Sequence, residues 1–364
     1  MRDVLIVGGG LSGLAVADAL ERAGRDWLLL EARARVGGRA LSVFAGAAAA
    51  RYDLGPAWIW PQNARMLAMA ERFGLSVFRQ HAAGQLVFED RAGAVRRDLD
   101  MAPMAGALRI GGGVGALAEV LAQGLPRERL RLDARVERIA EVEAGVEVTA
   151  AVSDHAAVVT ELARSVILAL PPRLVCSIDF APELPAHAVA ALAAVPTWMA
   201  GHAKAVTVYD RPFWRAAGFS GTAISHRGPL AEIHDASPPD SDGGALFGFF
   251  GMPAAARQIG RAALETAVTE QLARLFGDHA ARPVAFLLQD WAVEAETATR
   301  ADWTLPAGHP AYGMPRALEA LRARGLIFAG SEVAAREGGF LEGALEAAEA
   351  AVATLGQGMA RRSA

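Results

Sequence analysis

One stretch near the start of the chain, residues 4–39, constrains the fold more than any other. It opens with the apolar run VLIV at residues 4–7, continues with GGGLSG at residues 8–13, and then follows a helical pattern. A second apolar run, residues 27–30, ends at Glu31. This order predicts a strand, a tight turn, a helix and a second strand, which is the context in which G-x-G-x-x-G binds the phosphates of a dinucleotide.

The three glycines of this motif and the residues beside them have separate predicted tasks. Gly8 allows the sharp turn, Gly10 lets the backbone approach a pyrophosphate, and Gly13 lets the helix pack closely on the strand. The helix N-terminus, with Leu11 and Ser12, directs free N–H groups and the positive end of the helix dipole at the phosphates.

Glu31 completes the motif at the end of the second strand. It lies 18 positions after Gly13, where its carboxylate can accept hydrogen bonds from a ribose 2′-hydroxyl and would repel a 2′-phosphate. An ordinary α/β unit can also contain a glycine-rich turn, but the position of this carboxylate favours nucleotide binding. NAD and FAD both remain open on these residues, because both contain an ADP moiety.

Composition limits the classes of protein to which the chain can belong. Its 364 residues are enough for two domains with their own cores, and its net charge of −4 does not suggest a nucleic-acid partner. The one cysteine, Cys176, excludes an intramolecular disulfide and a cysteine-based metal cluster. The first apolar run is a strand rather than a signal peptide, and no apolar stretch reaches about 18 residues. We therefore expect a cytoplasmic protein with no membrane span and no metal.

A second glycine loop follows and bears on the choice between NAD and FAD. Ala32 and Arg33 precede RVGGR at residues 35–39, in which Gly38 and Arg39 allow backbone and guanidinium to approach a second phosphate or a flavin edge. R-x-G-G-R directly after the acidic residue resembles the flavin-containing amine oxidase family, which includes monoamine, polyamine and L-amino acid oxidases. It also resembles wider relatives such as phytoene desaturases and protoporphyrinogen oxidases. The resemblance implies FAD, with contacts from Ala32, Arg33, Gly38 and Arg39.

Other segments resemble the family at positions that surround the flavin. The resemblance implies that a D-x-G segment at residues 53–55 brings backbone alongside the flavin ring and that Trp60 lies on the substrate side. The tryptophans of this segment and Val136 have a simpler alternative as core residues. The cofactor contacts implied for this part of the chain are Gly55, Pro56, Ala57, Trp58 and, against the adenine, Val136.

Lys204 is unusual because it lies inside an alternating strand, residues 201–209. A buried ammonium group needs a partner or a lowered pKa. The strand leads to PFW at residues 212–214, a context that resembles the family, in which this lysine holds a water against flavin N5 and assists reoxidation by O₂. The resemblance also implies that Trp291 packs against the flavin. The alternative for Lys204 is an ordinary lysine whose side chain reaches solvent.

The last part of the chain resembles the segment that closes the cofactor domain in the family. An apolar run is followed by Gly330, Ser331 and Glu332, where the resemblance implies FAD contacts. A glycine turn then delivers a second helix N-terminus, an anion-binding geometry that would face the isoalloxazine ring. The contacts implied for this turn are Gly339, Phe340 and Leu341.

The sequence departs from the family where the substrate is recognised. Mammalian-type monoamine oxidases have a cysteine bonded to FAD where this chain has Arg300, and the first tyrosine of an aromatic cage where it has Ala301. The FAD is therefore expected to be non-covalent. Phe340 falls at the second cage position and either walls the pocket or packs in the core. His202 is a further candidate for the pocket. The charged residues Glu294, Glu296 and Arg300 either reach a polar substrate or, in the favoured interpretation, belong to a solvated loop.

Residues 75–108 are the main gap in the resemblance. Their alternation of apolar and polar residues around Gly84 and Gly93 predicts a hairpin. The longer amine oxidases place a large helical insertion here, which helps to wall the substrate cavity. The cavity of this protein is therefore more open, closed by a second subunit in a homodimer, or built for a different substrate.

The predicted fold class is α/β, with a discontinuous Rossmann-like FAD-binding domain and an α+β substrate domain built on a mainly antiparallel sheet. The FAD-binding domain is predicted over residues 1–74, 109–172 and 312–364. The substrate domain is predicted over residues 75–108 and 173–311.

The resemblance implies a FAD-dependent oxidase acting on a small amine or amino acid. A hydride would pass from the substrate α-carbon to flavin N5, and O₂ would reoxidise the flavin to give H₂O₂. Lys204, Trp291 and Phe340 are the predicted catalytic residues, and Trp60, His202 and Phe340 the predicted substrate pocket. Two alternatives stay open: a dehydrogenase or desaturase with another electron acceptor, and a flavin-binding subunit with no turnover of its own.

Overall fold

The computed structural model describes residues 1–46, 50–152, 157–239 and 241–362. In chain order, its strands are β1 (Arg2–Val7), β2 (Trp27–Leu30), β3 (Ser42–Ala45), β4 (Ala50–Asp53), β5 (Val77–Arg79), β6 (Gln85–Glu89), β7 (Val95–Leu99), β8 (Leu108–Ile110), β9 (Leu130–Arg131), β10 (Ala134–Val142), β11 (Gly145–Val152), β12 (Ala157–Leu168), β13 (Asp179–Ala181), β14 (Ala203–Tyr209), β15 (Phe219–Ser225), β16 (Leu230–Asp235), β17 (Gly244–Phe250), β18 (Ala285–Asp290) and β19 (Leu326–Phe328). Its α-helices are α1 (Leu11–Arg22), α2 (Ala64–Arg72), α3 (Val114–Gln123), α4 (Pro172–Val175), α5 (Ala186–Ala194), α6 (Phe213–Ala216), α7 (Arg261–Phe276), α8 (Arg316–Glu319) and α9 (Leu341–Arg362).

Two large sheets carry the fold. Within the described residues, the first sheet has the strand order β13-β10-β11-β12-β1-β2-β9, with β19 also paired to β12. The second has the order β18-β14-β17-β16-β15-β6-β7 and is antiparallel apart from the parallel pair β15-β6. The predicted α/β fold, a Rossmann-like unit joined to a mainly antiparallel sheet, is confirmed.

Strand β1 lies at the centre of the parallel part of the first sheet. It pairs in parallel with β12 on one side and β2 on the other. Val4, Leu5 and Ile6 have no exposed surface, because α1, α3 and α9 pack on one face and α5 with α8 on the other. Burial on both faces explains why β1 and β2 read as continuous apolar runs rather than as an alternating pattern.

Strand β12 corrects one expectation from the sequence. Residues 158–162 and 166–170 read as two strands, but the structure has one strand over Ala157–Leu168. Its first half pairs antiparallel with β11, and its second half lies in parallel between β1 and β19. The polar residues Arg164 and Ser165 do not break the strand, because Arg164 is exposed and Ser165 continues the ladder opposite Val4.

The two faces of the second sheet pack against different parts of the chain. Helix α7 packs on one face through Leu264, Val268 and Leu272. The opposite face presents Val206 and Phe247 toward the segment that follows β4. The hairpin predicted within residues 75–108 is present as β6 and β7, and it extends this sheet at its edge.

The domain boundaries remain a prediction. Strands β6 and β7 belong to the second sheet, whereas β5 pairs with β8 outside both large sheets. Strand β13 follows residue 173 and pairs with β10 in the first sheet. Among the helices that the structure describes, none is both long enough and apolar enough to cross a membrane.

Four turns meet at the carboxyl ends of the parallel strands. Gly8 follows β1, Glu31 follows β2, Ala169 follows β12, and Gly330 comes shortly after β19. In open α/β sheets, ligands bind in the crevice outside these strand ends. This crevice is where the cavity described next begins.

Candidate active site

A cavity of about 530 Å³ is lined by residues of both sheets and of the turns at the strand ends. Most residues predicted from the sequence lie on its wall, although they come from distant parts of the chain. These are Gly8, Gly10, Leu11, Ser12, Glu31, Arg33, Gly38, Arg39, Gly55, Pro56, Ala57, Trp58, Trp60, His202, Lys204, Trp291, Gly330, Ser331, Gly339, Phe340 and Leu341.

The turn after β1 is shaped by the three motif glycines. Gly8 has φ +104°, and a Cβ there would lie 2.7 Å from the carbonyl oxygen of Ala169. A Cβ at Gly13 would lie 1.9 Å from the carbonyl oxygen of Gly8, so only glycine lets α1 approach the turn. At Gly10, in contrast, a Cβ would meet nothing within 4 Å, because this residue borders the cavity. The turn therefore leaves space for a ligand in front of Gly10.

Helix α1 begins at this turn and opens toward the cavity. Its first residues, Leu11 and Ser12, line the wall, and the N-cap Gly10 supplies no side-chain hydrogen bond. The first N–H groups of a helix have no partner within the helix and carry the positive end of its dipole. This end of the cavity is therefore suited to a phosphate.

Glu31 lies next to this turn with a nearly buried carboxylate. Its Oε2 atom accepts a hydrogen bond of 2.6 Å from the Gly9 N–H, and its Oε1 atom accepts one of 2.8 Å from the Arg33 N–H. These two contacts hold the carboxylate in place on the cavity wall. Each oxygen retains a further lone pair, which suits the hydroxyl groups of a ribose.

The segment 294–297 closes the same end of the cavity and corrects the interpretation of a solvated loop. Glu296 and Thr297 line the cavity. The Arg33 side chain donates a hydrogen bond of 2.8 Å to the Thr297 hydroxyl and one of 3.4 Å to Glu294. Arg33 thus connects this loop to the nucleotide-binding turn through hydrogen bonds. No local sequence pattern predicts this contact.

Arg39, on the cavity wall, forms an ion pair with Glu332, which lies behind it. The Arg39 Nη1 atom donates to Glu332 Oε1 at 2.6 Å, and Nη2 donates to the Ser331 hydroxyl at 3.0 Å. Burial disfavours the charged guanidinium, but the Glu332 carboxylate outweighs it and raises the pKa of Arg39. Glu332 has no exposed surface and does not line the cavity, so the structure directs its carboxylate at Arg39.

Lys204 reaches the cavity from the centre of the second sheet. Its Nζ atom donates a hydrogen bond of 2.5 Å to the Gly55 carbonyl oxygen, and it lies 4.4 Å and 5.1 Å from the ring centroids of Phe247 and Phe249. The side chain is 3% exposed. Burial lowers the pKa of Lys204 to about 8, with Asp53 opposing that change. The alternative of a solvent-exposed lysine is wrong.

Two tryptophans stand beside Lys204. The Trp291 indole donates a hydrogen bond of 3.0 Å to the Leu54 carbonyl oxygen, and the Trp58 indole donates one of 2.9 Å to Gln80. Both rings line the cavity, and Trp58 also packs against the core cluster on that face of the second sheet. Trp58 is thus both a wall residue and a core residue.

Several aromatic residues line the cavity. Trp60, His202 and Phe340 are among the lining residues, as are Trp198 and Met199, and the role of the first three in substrate binding remains a prediction. Burial and the nearby Arg257 guanidinium lower the pKa of His202, so its imidazole is favoured in the neutral form. His202 Nδ1 is buried without a hydrogen-bond partner among the described residues.

Comparison with known proteins places this cavity in a family. A family model described as flavin containing amine oxidoreductase matches residues 11–105 and 81–355, most of the chain. The chain belongs to the flavin-containing amine oxidoreductase family. This confirms the resemblance seen in the glycine motifs and the conclusion that the protein is an oxidoreductase.

Individual relatives of this amine oxidoreductase agree with the assignment. The putrescine oxidase of Kocuria rosea is 26% identical over 86% of this chain and 85% of its own length. An L-amino acid dehydrogenase of Synechocystis sp. is 30% identical over 66% of this chain and 49% of its own length. The structure of cyclohexylamine oxidase from Brevibacterium oxydans has the same fold, with a TM-score of 0.80, 21% identity, and coverage of 98% of this chain and 99% of that one.

The cofactor of this amine oxidoreductase family is FAD, and the cavity fits it. Gly10 leaves the open space that a pyrophosphate requires, and α1 presents its N-terminus there. The Glu31 carboxylate on the wall can accept hydrogen bonds from ribose hydroxyls, and Lys204, Trp291 and the Gly55 backbone line the cavity as well. The predicted contacts of single residues with FAD remain predictions.

The FAD of this amine oxidoreductase is non-covalent, which agrees with the position of the one cysteine. Cys176 is exposed and does not line the cavity. Arg300, at the position of the cysteine bonded to FAD in mammalian-type monoamine oxidases, stacks on Trp303 with its guanidinium carbon 3.9 Å from the ring centroid. Arg300 and Ala301 are both exposed and outside the cavity.

Four residues predicted as cofactor contacts do not line the cavity: Gly13, Ala32, Val136 and Glu332. Gly13 acts through close packing beneath the turn, as its predicted role requires. Val136 lies within β10 and packs, partly buried, at the edge of the core, which agrees with its core alternative. Glu332 is separated from the cavity by its pairing with Arg39.

The sequence reasoning missed several wall residues of the amine oxidoreductase. The missed residues that line the cavity include Trp198, Met199, Phe249, Gln62, Asn63 and Glu337. Phe249 had one available signal, since it lies opposite Lys204 in the ladder between β14 and β17. Trp198 and Met199 had none, because they lie in an irregular turn.

Proposed function

We propose that this protein is a FAD-dependent oxidase that converts an amine without a carboxylate group into an imine, using O₂ as the electron acceptor. The observation that carries the proposal is Lys204, a lysine buried in the cavity beside Trp291 and the Gly55 backbone, in the position implied by the resemblance. The names of two relatives, a putrescine oxidase and a cyclohexylamine oxidase, support an amine as the substrate.

The pairing of Arg39 on the cavity wall argues against amino acids as substrates. Of the described residues that line the cavity, Arg39 is the arginine that donates a hydrogen bond to the Trp198 carbonyl oxygen, and its guanidinium is already paired with Glu332 and Ser331. Recognition of a substrate carboxylate typically requires an available arginine fork. A wall of Trp60, Trp198 and Phe340 instead suits the carbon chain of a simple amine.

The bound flavin supplies the redox step: it would accept a hydride from the α-carbon of the amine and pass both electrons to O₂, giving H₂O₂. The chain's own residues orient the amine and exclude bulk water. The wall of Trp60, Trp198 and Phe340 would hold the carbon chain, and Lys204 would hold a water through its remaining N–H groups. The released imine then hydrolyses in water to a carbonyl compound and ammonia or a smaller amine.

The reacting amine must be neutral, because a protonated nitrogen has no lone pair to support loss of the hydride. An alkyl ammonium group has a pKa of about 10, as the lysine side chain does. The rate of flavin reduction at fixed amine concentration therefore increases between pH 7 and pH 9. A Lys204→Met variant should retain this increase, which separates ionisation of the substrate from that of Lys204.

The proposal is tested by mixing the purified holoprotein anaerobically with benzylamine, n-butylamine, cyclohexylamine, putrescine and L-leucine. Bleaching of the flavin band by amines, and not by L-leucine, is the expected result, followed by one H₂O₂ per flavin when O₂ is admitted. If no amine bleaches the flavin, the protein is not an amine oxidase and the non-catalytic alternative gains support.

A second candidate is a dehydrogenase with another electron acceptor. The relative named L-amino acid dehydrogenase, the one with the higher identity of the two curated relatives compared above, favours this candidate. Stopped-flow reoxidation of the reduced enzyme by O₂ and by a soluble quinone separates the two. An oxidase is reoxidised rapidly by O₂, whereas a dehydrogenase reacts faster with the quinone.

A further inference from the structure

The turn formed by residues 197–201 lies between the cavity and the segment that carries Ala301. The Thr197 N–H donates a hydrogen bond of 3.1 Å to Asp302, and a Cβ on Gly201 would lie 2.3 Å from the Asp302 carbonyl oxygen. Trp198, Met199 and His202 line the cavity, whereas Ala301 is exposed and does not. The 197–201 turn thus occupies the wall of the cavity on this side.

Met199 is held in a backbone conformation that a residue with a side chain rarely adopts. Its φ is +61°, and among the described residues Asp133 is the other non-glycine residue with positive φ. Such a conformation costs about 1–3 kcal/mol and persists only where the surroundings impose it. Here it turns the chain so that two consecutive residues, Trp198 and Met199, both reach the cavity.

Trp198 makes close contacts through both its backbone and its ring. Its carbonyl oxygen accepts a hydrogen bond of 3.3 Å from Arg39, and a Cβ on Gly339 would come within 2.7 Å of the Trp198 Cβ. The ring meets Phe340 edge-on, with centroids 6.1 Å apart, and His309 edge-on at 4.7 Å. The ring cannot shift without moving the turn that precedes α9.

His309 stiffens the same corner from behind. Its ring stacks on Phe340 with centroids 4.6 Å apart and an interplanar angle of 4°, and its Nε2 atom lies 2.9 Å from the Gly338 carbonyl oxygen, which accepts the hydrogen bond. The Tyr312 hydroxyl donates a hydrogen bond of 2.9 Å to the Pro196 carbonyl oxygen, next to the turn. Trp198 and Phe340 therefore form a corner in which the ring planes lie 70° apart and which His309 and Tyr312 support from behind.

We propose that Trp198 and Met199 form the specificity wall of the amine pocket, together with Phe340, and that this corner selects amines whose carbon bears a bulky apolar group, above all a ring. The proposal rests on the proposed amine oxidase function. Two aromatic rings whose planes lie 70° apart offer a ligand one face and one edge, and both are contacts that aromatic groups favour. Met199 adds a flexible thioether that adapts to the shape of the ligand.

The test compares anaerobic flavin reduction by benzylamine and by n-butylamine in three variants. Trp198→Ala and Met199→Gly remove the wall, and Met199→Gly also relieves the backbone conformation. Trp303→Phe is the matched control, because Trp303 is a partly buried tryptophan that does not line the cavity. Its indole N–H donates a hydrogen bond to the Ala292 carbonyl oxygen. We expect Trp198→Ala to lower the preference for benzylamine by roughly tenfold, chiefly through weaker binding of benzylamine rather than a slower reduction step, and Trp303→Phe to leave it unchanged.

A binding experiment keeps this proposal separate from the proposed function. Benzyl alcohol has the same ring and no amine, so its binding, followed as a change in the flavin absorbance, does not depend on turnover. We expect its Kd to increase roughly tenfold in Trp198→Ala. If no amine reduces the wild-type flavin, the proposed function fails. The benzyl alcohol titration alone then decides whether Trp198 and Met199 form a wall that binds a ring.

Two results would overturn the proposal that Trp198 and Met199 form the specificity wall. One is a benzylamine preference and a benzyl alcohol Kd that stay within about twofold of wild type in both Trp198→Ala and Met199→Gly. The other is an equal change in the Trp303→Phe control. Should Trp198→Ala fail to fold with FAD, Trp198→Phe takes its place, with an expected loss smaller than that of alanine because a ring is kept.

Discussion

The Nζ atom of Lys204 donates a 2.5 Å hydrogen bond to the carbonyl oxygen of Gly55, joining the centre of the antiparallel sheet to the turn after β4. The two residues are 149 positions apart in the chain. The contact places a buried amino group at the cavity wall between the faces of Phe247 and Phe249. Its remaining N–H groups have no carboxylate partner among the described residues and are available to a water molecule.

Replacing Lys204 with methionine should slow reoxidation of the reduced flavin by O₂ without a similar loss in reduction by an amine. The methionine side chain has a similar length and no N–H group, so it cannot hold a water beside the flavin. We expect the second-order rate constant with O₂ to fall roughly tenfold or more, a change of about 1.4 kcal/mol in the barrier. Stopped-flow oxidation of the photoreduced protein measures it.

Thr207→Val is the control for that experiment. Thr207 lies on the same strand, is equally buried, and donates its hydroxyl hydrogen bond to Leu246 within the sheet. It should leave the O₂ rate constant unchanged. An unchanged rate constant in Lys204→Met would show that Lys204 has no part in reoxidation.

Lys204→Met should also be more stable than wild type at neutral pH. Burial lowers the pKa of Lys204 to about 8 from its ordinary 10.5, so below pH 8 the folded protein carries a charge that burial disfavours. Removing the amino group should stabilise the apoprotein by up to about 3 kcal/mol at pH 7. The unfolded chain binds the extra proton between pH 8 and pH 10.5, so wild-type stability rises through this window and the difference disappears.

Urea unfolding of both apoproteins at pH 7, 9 and 10.5 measures this difference. The gain in free energy of unfolding should shrink at each step toward alkaline pH. A constant difference would show that the methionine acts through packing alone, and a loss of stability at pH 7 would show that the hydrogen bond to Gly55 outweighs the burial of the charge.

Two glycines of the first turn should respond in opposite ways to an added methyl group. Gly10 has the ordinary extended angles φ −71° and ψ 179°, and a Cβ there meets no atom. Gly10→Ala should therefore leave the apoprotein stable while weakening FAD roughly tenfold or more, because the methyl group occupies the space in front of the phosphates. Titration of the apoprotein with FAD, followed by flavin fluorescence, measures the affinity.

Gly13→Ala should instead damage the fold itself. Its methyl group would lie 1.9 Å from the Gly8 carbonyl oxygen, which forces α1 away from β1. We expect a loss of about 2–3 kcal/mol or more in the free energy of unfolding of the apoprotein. Equal stability of the two alanine variants would contradict the assigned difference between packing and ligand space.

The buried pair of Arg39 and Glu332 should be costly to break. Glu332→Gln removes the charge that faces the guanidinium at 2.6 Å, and the carboxylate has no exposed surface. We expect a loss of about 3–5 kcal/mol in the free energy of unfolding. Glu119→Gln is the comparison, because Glu119 pairs with Arg51 but is 45% exposed, and its loss should stay below about 1 kcal/mol. Urea denaturation of the apoproteins separates the two values.

The nucleotide-binding half was predictable because its signals are local. A strand, a tight turn and a helix within residues 4–24 require glycine at fixed spacings, and the backbone geometry observed at Gly8 and Gly13 is what that spacing demands. The burial of Lys204 was less clear from local pattern, since the alternating strand alone favoured an ordinary lysine and only the PFW context that resembles the family favoured a place beside the flavin. The error at β12 has a local cause as well: Arg164 looks like a break, yet a long strand can expose one charged residue and keep its ladder.

The substrate end was not predictable to the same degree. Arg300 and Ala301 were placed through the resemblance, by the spacing between Trp291 and residues 306–308, but the structure has them on the surface, behind the 197–201 turn. Whether Trp198 faces a cavity depends on Asp302, which is 105 positions from Thr197. No periodicity within the turn contains that information.

The sequence by itself determined the cofactor half of this protein: a glycine turn, a carboxylate at the end of β2 and a second glycine turn before α9 have few structural solutions, since each restricts its own backbone. Only the tertiary structure decided the pocket. Trp198, Met199 and Phe340 come from an irregular turn and a helix start, and their meeting is set by long-range packing of Gly339 against Trp198. Local backbone constraints can be predicted from a sequence, because neighbouring residues impose them. Contacts between distant turns depend instead on how the two sheets pack together.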